Sequence, residues 1–192
     1  PEQQVVYFSS FGFIPSSFFN QFSEFDLQSM TWEWGTIFSS MFSHGGIFHL
    51  LGNMLFLYLY GDNVEEAMGK LWYLLFYLSC GLLAAFAQAL ISPESQIPMV
   101  GASGAISGVI GSYLLLYPRA NVRVFYWFFL FVGTLMVPAY LVLGLWLAQQ
   151  MLAFPESMKA AGGVAVAAHL GGFVAGFVLT PLLRKKGIKL FQ

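Results

Sequence analysis

A hydroxyl, two imidazoles and a carboxamide stand inside stretches of this chain that are otherwise apolar. His49 and Asn53 lie four residues apart in GIFHLLGNMLFLYLY, on one face of any helix formed there. Ser103 lies in GASGAISG and His169 in AVAAHLGGFVAGF. His44 precedes the first of these stretches, beside Gly45 and Gly46. Each has a plain structural explanation: a histidine satisfied in packing, a serine bonding the carbonyl one turn back, an asparagine joining two helices. Together they hold a nucleophile, a base and neutral hydrogen-bond donors. Such a set suits attack on an acyl carbon, with the donors meeting the negative charge that develops.

Small residues make room for these groups. Gly163, Ala167, Gly171 and Ala175 recur every four positions around His169, with Gly172 and Gly176 beside them. Gly101, Ala102, Gly104, Ser107, Gly108 and Gly111 surround Ser103. Small-residue faces let helix backbones approach closely. If these two faces meet, the hydroxyl comes within reach of the imidazole. Length points the same way. Ser103 to Tyr117 makes about 22 Å of helix, short of the roughly 30 Å of a bilayer's hydrocarbon. That helix is expected to begin below the outer surface, with 97–102 descending as irregular chain into a wetted pocket.

The elements that carry these residues belong to a membrane protein. Of 192 residues, 58% are hydrophobic and only 9% charged, and the net charge is −1; mean hydropathy is +0.71. So few charges cannot clothe a water-soluble surface, which excludes a disordered chain, a nucleic-acid binder and a cytosolic globule. The single cysteine, Cys80, permits no internal disulfide and no cysteine metal cluster.

Five apolar runs read as spanning helices: 46–60, ending at Gly61-Asp62-Asn63; 71–91; 101–117; one from Val122 past Trp146, with Pro138 as an internal kink; and 162–183. With residues 1–45 outside, Lys70, Arg119, Arg123, Arg184, Lys185, Lys186 and Lys189 fall inside and only Lys159 outside. Residues 1–45 contain no Lys or Arg and many aromatics, as a segment at the outer headgroup level would. The expected organisation is an outer interfacial loop segment (1–45), a transmembrane helical bundle (46–183) and a basic inner tail (184–192).

Four motifs resemble those of the rhomboid family of intramembrane serine proteases. His44, His49 and Asn53 form H-x4-H-x3-N; Gly61, Glu65 and Gly69 form G-x3-E-x3-G. Gly101, Ser103 and Gly104 form G-x-S-G; Ala168, His169, Gly172 and Gly176 form A-H-x2-G-x3-G. The motifs follow the family's order across residues 44–183. The resemblance implies an all-α polytopic bundle and a serine endopeptidase that cuts single-span membrane proteins without metal or cofactor. It implies Ser103 as nucleophile and His169 as general base. It implies an oxyanion hole of His49, Asn53 and the Ser103 backbone N–H, supported by His44, Gly101, Gly104, Gly172 and Glu65. It also implies residence in a membrane, expected to be a prokaryotic inner membrane, with the site opening outward.

The chain departs from the family pattern in places. The family core has six spans and five are found, so a first span is expected to precede Pro1. The family's Trp-Arg position reads Gly35-Thr36, with Trp32 and Trp34 upstream, so the outer loop is expected to be anchored differently. Ser107 replaces an aromatic found in some members one turn after the nucleophile, so the base must be held another way. No carboxylate is positioned to orient His169, so the arrangement is expected to be a dyad.

The fourth run and the outer loop 151–161 are the expected substrate gate. Rival readings are an inactive relative that escorts membrane spans, a channel or transporter lined by the same polar groups, and a zinc protease. The first would lack Ser103 or His169. The second would carry intramembrane carboxylates or inverted repeats. The third would carry the glutamate of HExxH, absent from HGGIFH.

Overall fold

A computed structural model describes residues 2–24, 27–157 and 165–192. Helices dominate: α1 (Glu2–Phe11), α2 (Pro15–Glu24), α3 (Leu27–Phe42), α4 (Ile47–Met68), α5 (Lys70–Ile91), α6 (Ser103–Leu116), α7 (Ala139–Ser157) and α8 (Val166–Leu183). One two-stranded antiparallel hairpin, β1 (Asn121–Phe128) and β2 (Phe131–Pro138), separates α6 from α7.

The short helix α6 is the axis of the bundle. Nearly all of its side chains are buried, and α4, α5 and α8 pack around it. Its contact with α8 is backbone against backbone. A Cβ on Gly172 would strike the Gly104 carbonyl, and one on Gly176 the Gly108 carbonyl. Glycine is required there because no side chain fits between the helices. The neighbouring Gly171 instead faces Ala87 of α5, so the small-residue stripe of α8 serves two partners. Gly162 and Gly163 lie outside the described residues.

Around this axis the core gathers Tyr60, Val64 and Met68 of α4, Phe76 of α5, Tyr113 of α6 and Leu143 of α7. The outward faces are also apolar: Phe48 is 86% exposed, Tyr58 76% and Leu182 75%. A water-soluble monomer does not usually carry so large an apolar surface, and lipid would suit it. α5 and α8 are each long and apolar enough to cross a membrane, and α6 is apolar but shorter.

The structure corrects four sequence expectations. First, α4 does not stop at Gly61-Asp62-Asn63 but continues two turns to Met68. Asp62 and Asn63 are exposed while Gly61, Val64 and Ala67 are buried, so the polar residues mark the wet side of one helix rather than its end. Gly69 alone then links α4 to α5.

Second, the run from Val122 past Trp146 is not one helix. Residues 121–138 form the hairpin, and the helix begins only at Ala139. Pro138 therefore closes β2 and kinks nothing; its fixed backbone and missing N–H suit a strand end. Third, residues 151–157, read as loop, are the last turns of α7, and 158–161 lie outside the described residues.

Fourth, residues 1–45 are not loop but largely three helices. Phe13 and Phe18 pack with Ile37 of α3 and Ala85 and Ala89 of α5, joined by edge-on contacts among Phe18, Trp34 and Phe86.

The basic residues gather at one end. Lys185 Nζ donates to the Glu66 carbonyl and Lys185 N to that of Ala67. Phe191 N and Gln192 N donate to Leu115 and Leu116 at the end of α6. Lys159, the one exception in the orientation argument, lies outside the described residues.

Candidate active site

Ser103 is the first residue of α6 and His169 lies in the first turn of α8. The glycine contacts between these helices bring the two side chains together: Ser103 Oγ is 2.8 Å from His169 Nε2. The other ring nitrogen, Nδ1, is 2.8 Å from Gln150 Oε1 on α7. A carboxamide oxygen only accepts, so Nδ1 carries the proton and Nε2 is left as an acceptor facing the serine hydroxyl. Trp146, one turn before Gln150, sets its ring 6.3 Å from the imidazole. These two α7 side chains hold the His169 ring. Ser107 takes no part, because its hydroxyl donates to the Ser103 carbonyl at 2.7 Å.

The chain leading to Ser103 is irregular from Ser92 to Ala102, and its backbone bonds are supplied by the N-terminal helices. Phe13 and Met99 exchange two backbone bonds of 3.0 and 2.8 Å, Ser16 N donates to Ser95 O, and Gly101 N donates to Ser40 O at 2.9 Å. Irregular backbone packed against other elements needs such partners. Gly101 itself has φ +122°, in the region that favours glycine. A Cβ there would meet His49 Cε1 at 2.7 Å and Nε2 at 2.9 Å, with Asn53 Nδ2 at 3.6 Å. Both α4 side chains therefore lie over the turn that precedes the serine. Gly45 N donates to His49 Nδ1, which leaves the His49 proton on Nε2, the nitrogen toward Gly101. Asn53 is buried, and its Nδ2 has no partner among the described residues.

These groups line a cavity of about 1150 Å³ that includes His49, Asn53, Gly101, Ser103, Trp146 and His169, walled by the 92–100 loop. Gln88 of α5 also lines it. Its Oε1 accepts from Ala168 N, satisfying an otherwise unpaired donor in the first turn of α8.

Of the expected supporting residues, Gly104 lies in the cavity wall and Gly172 in the α6–α8 contact. His44 stacks edge-on with His49, ring centroids 5.3 Å apart. Burial lowers its pKa below the ordinary imidazole value, and His49 lowers it further against an opposing backbone hydrogen bond at Phe42. Glu65 is not brought into the cavity. It sits at the opposite end of α4, where its carbonyl accepts from Gly69 N.

Gln150 and Gln88 were missed in the sequence. Glutamine carries no charge and has no motif, and LAQQMLA reads as the polar end of a helix. The available signal was the four-residue spacing of Trp146 and Gln150, which places them on one face.

Residues 31–186 match the Rhomboid domain family. The chain is 33% identical over 84 residues to the putative rhomboid protease YdcA of Bacillus subtilis, covering 44% of this chain and 42% of that protein. It is 38% identical over 93 residues to the rhomboid protease GluP of the same organism, covering 48% and 18%. With the mitochondrial RHOMBOID-like protein 12 of Arabidopsis thaliana it shares 27% identity over 166 residues, covering 78% and 46%. The matches thus span less than half the length of each of these relatives.

Proposed function

The chain belongs to the rhomboid family, whose members are integral membrane proteins, and from that membership we propose that it is a serine endopeptidase acting inside the bilayer. Its substrates are membrane proteins with a single span, cut in or near that span. The observation that carries this reading is the 2.8 Å contact between Ser103 Oγ and His169 Nε2 at the wall of a cavity.

The chemistry follows from the donors and acceptors. His169 Nε2 takes the proton as Ser103 Oγ attacks the scissile carbonyl carbon. The tetrahedral oxygen becomes negative and is met by Asn53 Nδ2–H, His49 Nε2–H and the Ser103 backbone N–H, a first-turn donor with no intrahelical partner. His169 then protonates the departing amine, and water from the cavity hydrolyses the acyl-enzyme by the same route in reverse. Gln150 is a positioning residue. By accepting from Nδ1–H it keeps the ring in the tautomer whose lone pair faces the serine, a task that a carboxylate performs in the soluble triad. A neutral acceptor avoids burying a charge at membrane depth.

The reading assigns α4, α5, α6, α7 and α8 as spans, residues 1–45 as an outer interfacial segment and 184–192 as an inner basic tail. The membrane is a prokaryotic cell membrane and the cavity opens on its outer side; the basic end of the bundle supports that orientation. α7 is the gate, since it carries Trp146 and Gln150 and its outward side chains Leu145, Met151 and Leu152 are exposed. A cross-link tying α7 to α4 then abolishes cleavage of helical substrates. A segment must unwind before its peptide bond reaches Ser103, so helix-breaking residues near the cut accelerate the reaction.

The test is a fluorophosphonate probe applied to the detergent-solubilised protein. Labelling that vanishes in Ser103→Ala and in His169→Ala supports the reading. Labelling that survives Ser103→Ala, or a folded wild-type protein that never labels, overturns it in favour of a binding or transport role.

A further inference from the structure

The β1–β2 hairpin leaves the basic end of the bundle with apolar side chains on both faces. Its register pairs Phe128 with Phe131, Trp127 with Val132 and Val124 with Leu135. Alternation along each strand therefore puts Tyr126 and Phe128 on one face, and Phe125 and Trp127 on the other. Trp127 is 76% exposed, Phe129 81% and Leu130 95%. A lone two-stranded hairpin is marginal in water, and this one has little packed against it beyond the start of α7.

The turn carries a second observation. Phe129 has φ +50°, in the left-handed region that glycine or asparagine normally fills in such turns. The chain accepts backbone strain in order to hold an aromatic ring at the tip. The Phe129 carbonyl, meanwhile, is satisfied within the hairpin by Trp127 Nε1–H at 2.7 Å. An apolar tip with an internally bonded turn suits a medium poor in water. At the root the chemistry changes: Arg119 and Arg123 are both exposed there. The outer edges of both strands carry unpaired backbone groups, which forbids an upright position across the hydrocarbon. At the boundary of headgroups and acyl chains, water and phosphate satisfy those edges while the tip dips into the chains.

We propose that the β1–β2 hairpin is a lipid-binding wedge seated in the leaflet at the basic end of the bundle. Phe129 and Leu130 lie among the acyl chains, and Arg119 and Arg123 pair with anionic phosphate. The exposed apolar side chains of the hairpin suit acyl chains, and its charges complement the headgroups of that leaflet. Ala139 N donates to Ala120 O and Tyr140 N to Pro118 O. The root of the hairpin and the start of α7 are thereby tied together, and lipid that holds the hairpin also holds the inner end of α7.

The test uses the full chain with Leu130→Cys, labelled with an environment-sensitive fluorophore and reconstituted into vesicles of phosphatidylcholine and phosphatidylglycerol. Cys80 is buried and stays unlabelled, and position 130 touches too little to disturb folding. The expected result is blue-shifted emission, quenched by nitroxide-bearing acyl chains and protected from aqueous iodide. A label at Lys189→Cys is expected to be quenched by iodide instead. Arg119→Gln with Arg123→Gln is expected to move the tip toward water in these vesicles. The same insertion is expected in a Ser103→Ala background, so a failed protease reading leaves this one standing. A tip quenched by iodide and untouched by lipid nitroxides overturns the proposal. So does self-quenching that rises with protein density while lipid quenching stays absent, which would make the hairpin a contact between copies.

Discussion

Gln150 offers the sharpest test of how the base is held. Replacing it with leucine removes the acceptor 2.8 Å from His169 Nδ1 and keeps similar bulk in a buried position. The Nδ1–H is then left without a partner, at a cost of about 1–3 kcal/mol. The ring gains access to the other tautomer, whose Nε2–H faces the serine hydroxyl and takes no proton from it. At about 1.4 kcal/mol per tenfold, kcat should fall by roughly 5- to 150-fold while KM stays in place. The assay is steady-state cleavage of a reconstituted single-span substrate, with the fluorophosphonate labelling rate falling in parallel. Gln150→Glu keeps an acceptor oxygen at the same reach and should restore most of the rate. Gln150→Asn, one methylene shorter, should not. Wild-type kcat in Gln150→Leu would refute the reasoning. A loss that falls wholly in KM, or that tracks a fall in Tm and is not rescued by glutamate, would refute it too.

Three further outcomes follow from the geometry. Asn53→Ala removes an unpartnered buried donor, so kcat should drop about 10²- to 10³-fold with Tm nearly unchanged; a small effect would remove Asn53 from the oxyanion hole. Gly176→Val forces a side chain into the Gly108 backbone, and the overpacking should cost about 1–3 kcal/mol or more. Thermal melting should show the loss, while Gly144→Ala, with open space around it, should melt like wild type. His44 has its folded pKa lowered by burial and by His49, so protonation favours the unfolded chain. Stability should then be lost as pH falls below about 6.5, and His44→Asn should flatten that part of a Tm-against-pH curve.

What the sequence made legible was which polar side chains would meet. Ser103, His169, His49 and Asn53 stood out because polar groups are costly in apolar stretches, and the small-residue faces named which helices would touch. The close seating of Gly172 on Gly104 is the physical form of that second signal. The start of α6 at Ser103 was legible too, because the irregular stretch before it carries Pro98 and Gly101 and the apolar run after it is short.

The hairpin was hidden for a specific reason. Strands reveal themselves by alternation when one face is wet and the other dry, and here both faces are apolar, so VFYWFFLFV reads as a span. The β-branched and aromatic enrichment of that stretch was the remaining clue. The continuation of α4 was hidden because Asp62 and Asn63 on the wet side of a helix look the same in sequence as polar residues that end one. The N-terminal helices were hidden because their partner, the 92–102 loop, is distant in the chain and joined to them mostly through backbone bonds that no side chain announces.

The order of the chain bears on when the site is complete. A polypeptide made from its N-terminus emits Phe13 and Ser40 first, then the loop they grip, then Ser103. The imidazole arrives 66 residues later, on α8. On the roles proposed here, a growing chain therefore carries its alcohol without the group that activates it for a long stretch of synthesis. The seating of the α8 glycines against α6 is what brings the two groups together, so under those roles a chain cut short before α8 holds Ser103 without its proposed base.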